Sequence, residues 1–490
     1  MKLPITGPTY QHSSQDVNYQ KCINLFLSDA GPLGRGETGV LVHTPGLKSI
    51  GSVSGKSEVR ALFNHNNEKL YCVMDNTVYL ITFNEDALTA TFGSIGTIAT
   101  STGPIGWAIN PTQIMLVDGS SSGYIITVAT DTLALITDVD FTGGTTVCFI
   151  DSYFVYNTPG AATMFATKLN DGTDINALDV ATAEGRPDDL VAVLTDKREV
   201  WAFGTLSTEF WYNAANASGF PLSRRDGAFM DIGCGAAFSA IQINNGVCWL
   251  DNRGFIVFAS GYAPQVISSP AMAREMNSYT TLSDATAFSH MDRGHLFYVI
   301  SFPTENKTWA FDFVTEQWHE RAYFNHDDSF ERHKANCHVR WKNWEFVGGK
   351  DDGNVYILHH SYYDDAGDPI HRLRTTAPFN DEFRRTTIHT LELQLETGKA
   401  LSTGTGSNPQ LMMRYSNDGG YSWSNEAVAS LGAIGEYAKL VRWTNLGGAR
   451  EWMFEFRFTD PIPFTILDAS INIIGETDGY KTTKVNKAAT

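Results

Sequence analysis

At 490 residues the chain is longer than one hydrophobic core usually supports, so two or more compact units are expected unless one large closed β architecture takes most of it. Apolar residues make up 42% and aromatics 12%, while charged residues are only 18% against roughly 25% in ordinary soluble proteins, a composition suited to packed sheets. The net charge of −18 argues against tight DNA or RNA binding, whose affinity comes from Lys and Arg displacing counterions from phosphate.

An acidic surface gives solubility, and it also repels a duplex moving past a wall. Cys22, Cys72, Cys148, Cys234, Cys248 and Cys337 are scattered without a C-x-x-C pair, so buried thiols are expected in place of a disulfide framework or zinc site. The opening MKLPITGPTYQHSSQD has no apolar h-region, and no stretch approaches 18 apolar residues, so neither a cleaved signal nor a membrane span is expected. The sequons at Asn216 and Asn306 therefore carry little weight.

In chain order, residues 1–57 are Gly/Pro-rich and irregular, with short apolar runs at 22–27 and 39–43. Such a segment either adds a strand that closes a ring or reaches to a neighbour. From Glu58 to Leu358 one pattern recurs seven times: an aromatic-aliphatic strand, a short polar turn and a second strand. Its copies are anchored at Leu70, Ile114, Tyr153, Val200, Val247, Leu296 and Trp344, spaced by 44, 39, 47, 47, 49 and 48 residues. A period of roughly 40 to 50 residues built of short strands predicts β-propeller blades. KLYCVMD (69–75) and VYLITF (78–83) are apolar on both faces, as sheets sandwiched between two others require. Ser269 and Pro270 predict the N-cap and first turn of one short helix. The propeller is expected over 58–386.

Longer strands follow, and Trp452, Phe454, Phe456 and Phe458 alternate with Met453, Glu455, Arg457 and Thr459. One buried and one wet face predicts a small β-sandwich over 387–475. Residues 476–490 form a polar tail.

Ser416, Asp418, Gly420 and Trp423 stand in SNDGGYSW, which is similar to the Asp-box of sialidases and related propellers, S-x-D-x-G-x-[ST]-W. There Asp bonds loop amides, Gly supplies positive φ and Trp packs underneath, so the expected role is a structural turn. His319, Glu320, His326, Asp327, Asp328, Glu331 and His333 crowd together, but without the H-E-x-x-H spacing that puts two imidazoles on one helix face. His359 and His360 lie near Asp364 and Asp365, and adjacent residues on a strand point to opposite faces. Phe210, Trp211 and Tyr212 would stack on a sugar if exposed, though such a run is more often blade core. No G-x-S-x-G, P-loop or dinucleotide fingerprint is present, and no catalytic residue, metal ligand or cofactor is assigned.

Several stretches carry a resemblance: VNYQKCINLFL (17–27), LVHTPGLKSI (41–50), VWAFGTLSTEFWY (200–212), RRDGAFMDIGCGA (224–236), the run from Val266 to Pro303, and TWAFDFVTEQWHER (308–321) with Gln317–Trp318. In order and character they resemble the packaged-DNA stabilisation protein of short-tailed bacteriophages (podoviruses), also called the tail hub or nozzle. The Asp-box and the long acidic loops have no counterpart in that pattern. The resemblance implies a non-enzymatic virion component, assembled in the host cytoplasm as a homohexameric ring below the portal and its adaptor. It would close the capsid after packaging, retain the genome and form the DNA ejection channel. It would also offer attachment to fibres, tailspikes and a plug or needle. No individual acidic residue is assigned to the channel. The alternatives are a glycan-binding attachment protein built on a propeller, or a glycoside hydrolase, which needs two carboxylates facing each other across a cleft.

Overall fold

Strands that lie between two neighbouring sheets lose both faces to packing, and the middle strands of the repeat show this most clearly. In the computed structural model, which describes residues 2–29, 39–183, 185–216, 218–325, 327, 329–382 and 384–475, Lys69–Met74 is buried at every position after Lys69. Each repeat is a four-stranded antiparallel meander. Blade 1 consists of Val59–His65, Lys69–Met74, Thr77–Asn84 and Thr89–Thr97. Blades 2 to 6 span residues 106–135, 147–182, 190–230, 241–266 and 286–320. Blade 7 takes three strands from 335–359, and its fourth is Gly46–Ser52, antiparallel to Asn354–His359. The ring is thus closed by a strand from the amino-terminal side. At Gly46 a Cβ would fall 2.5 Å from the Asp364 carbonyl oxygen, so glycine lets the chain enter the blade there.

The two-strand pattern seen in the sequence is the middle hairpin of each blade. Fourth strands lie on a more exposed edge, as in Thr89–Thr97, where half-buried and exposed positions largely alternate. First strands of neighbouring blades pack against one another in several pairs, blades 2/3, 3/4 and 7/1 among them. Between blades sit apolar clusters, such as Trp201, Phe203 and Trp249 between blades 4 and 5, with Phe203 and Trp249 ring centroids 5.3 Å apart. Each such buried side chain contributes about 1.5–3 kcal/mol. The cysteines are free, five of them buried and Cys337 half-buried. Burial pushes the Cys148 thiol up to about 12 and the Cys234 thiol up to about 11.

The chain divides into two compact units, Thr44–Ile370 and Met1–His43 together with residues from His371 onward. Strand Gly46–Ser52 falls in the first of these units and strand Arg372–Thr375 in the second. That second unit is a sandwich. One sheet runs Leu25–Ser28, Val40–His43, Thr465–Gly475, Thr386–Leu395, Val441–Ala449. The other contains Cys22–Ile23, Arg372–Thr375, Met453–Phe458, Gln410–Ser416 and Ala427–Ser430. Leu3, Ile5, Leu25 and Leu41 from the amino end join Ile388, Leu391, Trp452 and Phe454 in one core. Trp452, Phe454, Phe456 and Phe458 are buried as their alternation predicts, but Met453 and Glu455 are buried too. Strand Met453–Phe458 is central in its sheet, and Glu455 pairs with Arg414 at 2.6 Å. The fold is nearly all-β, about 2% helical: a propeller followed by a carboxy-terminal sandwich. The helix Pro270–Asn277 is opened by Ser269, whose side chain accepts the Met272 amide at 3.2 Å. Among the described residues no helix is long and apolar enough to cross a membrane.

Candidate functional site

On one side of the propeller lie the turns between second and third strands and the segments that link blades. Acidic side chains there are committed to loop geometry. Asp75 accepts the Glu58 amide at 3.0 Å, and Asp118 accepts the Thr100 hydroxyl at 2.9 Å. Asp188 takes the Leu206 amide at 2.7 Å, Asp251 the Phe255 amide at 2.8 Å, and Glu305 the Thr280 amide at 2.6 Å. Asn157 serves the same purpose in blade 3, its Oδ1 accepting the Thr146 amide at 3.0 Å. Several of these bonds tie a turn to the connection entering the same blade, so part of the negative charge is fixed in place on this side.

Arg60 clamps the connection between blades 1 and 2. It is 3% exposed and donates to the carbonyls of Gly103 (2.5 Å), Asp75 (2.7 Å), Thr102 (2.7 Å) and Thr100 (2.8 Å). Burial pulls its guanidinium below the usual arginine range, and Glu58, Asp118 and Asp75 partly restore it. Sequence alone shows Arg60 only as a lone charge among apolar neighbours.

In the sandwich unit, Ser416 ends a strand and its Oγ accepts the Gly420 amide at 2.8 Å. The Asp418 carboxylate accepts the Ser422 amide at 2.9 Å and the Ser422 hydroxyl at 2.5 Å. These bonds, with that from Ser416, hold Asp418 down to about 2. Gly419 and Gly420 have φ of 72° and 94°, and Arg414 lies over the Trp423 ring at 4.9 Å. These hydrogen bonds of Ser416, Asp418 and Ser422 close the turn on itself.

The other candidates separate. Phe210 and Trp211 are buried and Tyr212 is exposed, so the aromatic run is mainly blade core. His319, Glu320 and His333 are buried, while His326 and Asp328 lie outside the described residues. Among the described residues no group of three His, Cys, Asp or Glu side chains is placed to hold a metal ion. The rings of His359 and His360, expected on opposite faces, have centroids 4.1 Å apart. The strand ends at His359, so the alternation no longer applies, and His360 reaches Asp292 at 3.1 Å.

The described residues thus form a closed seven-bladed propeller and a sandwich, with several acidic side chains of the blade turns engaged in loop geometry. Residues 1–363 match the family described as Bacteriophage P22 Gp10, β-propeller, and residues 371–474 match Bacteriophage P22 Gp10, β-sandwich, so the chain belongs to this packaged-DNA stabilisation family of phage tail proteins. No curated protein matches the chain. Among solved structures it is similar to the WD40 β-propeller domain of Doa1 (11% identity, TM-score 0.42, 64% of this chain and 97% of that one). It is also similar to the computationally designed Ika8 protein (14%, 0.36, 64% and 99%). A third is the extracellular domain of the putative hybrid two-component system BT4673 from B. thetaiotaomicron (9%, 0.42, 83% and 47%).

Proposed function

We propose that the chain is the ring-forming hub of a short phage tail, which closes the filled capsid, retains the genome and surrounds the path by which DNA leaves. The observation that carries this reading is the pair of family matches, which together span the propeller and the sandwich. Blades packed face to face form a rigid block with short, protected strand edges, suited to a closed assembly of identical copies. A net charge of −18 opposes adhesion of duplex DNA to the assembled wall. The protein acts without catalysis or cofactor. Its partners are five further copies, the portal adaptor, fibres or tailspikes, and a plug or needle; its place is the virion tail, assembled in the host cytoplasm.

Native mass spectrometry and negative-stain imaging of the purified chain, alone and with the portal and adaptor, test the assembly. Six copies in a ring with a central hole are expected. A chain that stays monomeric with those parts present would contradict the proposal.

A further inference from the structure

The packing between blades 6 and 7 contains a set of ionisable groups with an unusual relation to one another. His290 lies on the first strand of blade 6 (Thr286–Asp292), His319 on its fourth (Gln317–Glu320), and Arg321 directly after it. His333 lies in the connection to blade 7, and His338 on that blade's first strand (Ala335–Trp341). Arg321, His319, His290 and His333 are 1%, 2%, 3% and 5% exposed.

A guanidinium can only donate, so every ring nitrogen it touches must accept. Arg321 Nη1 meets His290 Nε2 at 2.5 Å, and Arg321 Nε donates to His319 Nε2 at 3.2 Å. The Ala335 amide donates to His333 Nδ1 at 3.2 Å. All three imidazoles therefore present a lone pair that an imidazolium lacks. Arg321 also lies over the Phe297 ring at 4.8 Å, and its Nη2 has no hydrogen-bond partner among the described residues.

Other charged groups face this set from each packed element. Blade 6 supplies Asp292 from its first strand, His295 from its second and Asp312 from its third; His295 and Asp312 are 2.7 Å apart. Arg332 and Lys334 flank His333. Blade 7 supplies His338, whose Nε2 is 2.6 Å from Glu345, and beyond its third strand His360 bonds Asp292. Asp292, Asp312 and Glu345 are engaged by these partners, and among the described residues none of the three has a hydrogen bond to Arg321.

We propose that the seam between blades 6 and 7 is an acid-sensitive joint, at which the closed ring of blades opens first when the buried imidazoles take up protons. Each added proton removes an acceptor and sets a second cation against Arg321 in a dry interface, where repulsion is weakly screened. Burial first, and then the Arg321 charge, hold His290 and His319 well below the usual imidazole range and His333 down to about 3. The opened seam binds protons near pH 6.5 and the closed seam does not, so closure weakens as pH falls below about 6.5. The loss continues down to about pH 3 for His333.

The test is hydrogen exchange of the full chain between pH 7.5 and 5, corrected for the chemical exchange rate. Strands 286–292 and 335–341 are expected to lose protection first, their opening constant rising up to about tenfold per titrating ring per pH unit below about 6.5. Blades 2 to 4 are expected to keep theirs over the same range. Loss that begins elsewhere, that is uniform over the blades, or that is absent at the seam overturns the proposal. His290→Gln keeps an acceptor for Arg321 but removes one titrating ring, so the pH slope should fall by about one proton. An unchanged slope overturns the role of His290, and if this variant does not fold, the wild-type profile decides alone.

Discussion

Arg374→Met is expected to destabilise the sandwich unit by about 3–5 kcal/mol, which is the cost of breaking a buried, charge-assisted set of hydrogen bonds. Arg374 is fully buried on strand Arg372–Thr375 and donates to the Ile5 carbonyl at 2.7 Å, the Pro8 carbonyl at 3.0 Å and Gln20 Oε1 at 2.6 Å. Burial lowers its proton affinity, while Cys22 beside it partly restores it. One side chain thus holds residues 5–20 against the sheet. Without it, the carbonyls of Ile5 and Pro8 lose their guanidinium donor, and no aliphatic group replaces it. Hydrogen exchange should show early loss at the Leu3 and Lys21 amides, bound to Ala469 and to Thr375 Oγ1 respectively. Arg374→Lys should recover only part of the loss, since a point charge cannot reach three acceptors as the planar fork does. A variant with an unchanged urea midpoint and slope would show that this anchor carries no stability.

Asp312→Ala is expected to cost a similar amount, about 3–5 kcal/mol, in blade 6. Asp312 is 1% exposed and sits where the third strand turns into the fourth. Its carboxylate receives the Val314 amide at 2.9 Å, the Thr315 hydroxyl at 2.7 Å and His295 Nδ1 at 2.7 Å. Alanine removes all three acceptor contacts and leaves space where the carboxylate stood. Asp312→Asn keeps one acceptor oxygen but adds a donor facing donors, so it should lie between alanine and wild type. Denaturant unfolding and exchange at 307–320 read the effect. Equal stability of all three proteins would contradict the role given to this residue.

The propeller was legible because its middle hairpins are buried on both faces, and such strands leave continuous apolar runs such as Leu70–Met74 at a regular period. The fourth strands left no such trace, since Thr89–Thr97 is half exposed and rich in Thr and Gly. Ring closure by Gly46–Ser52 was one of two alternatives, because a seven-residue strand distant in sequence carries nothing that names its partner. The contribution of residues 2–29 and 39–43 to the sandwich is not legible for a related reason: Cys22–Ile23 and Leu25–Ser28 are too short to show alternation. Trp452 through Phe458 announced a half-buried strand, yet the burial of Glu455 depends on Arg414, forty-one positions away. Arg60, Arg321 and Arg374 were invisible as clamps, because a lone arginine reads as surface until the carbonyls or rings around it are placed in space. The same holds for the seam of blades 6 and 7, where His290 and His319 meet only through the fold.

If the chain seals packaged DNA inside a capsid, as proposed, particles filled in cells that make no copy of it will be sensitive to nuclease. The genome should leak or be digested in those particles, and adding the purified chain should restore protection. Particles that keep their DNA fully protected without it would overturn the proposed sealing role.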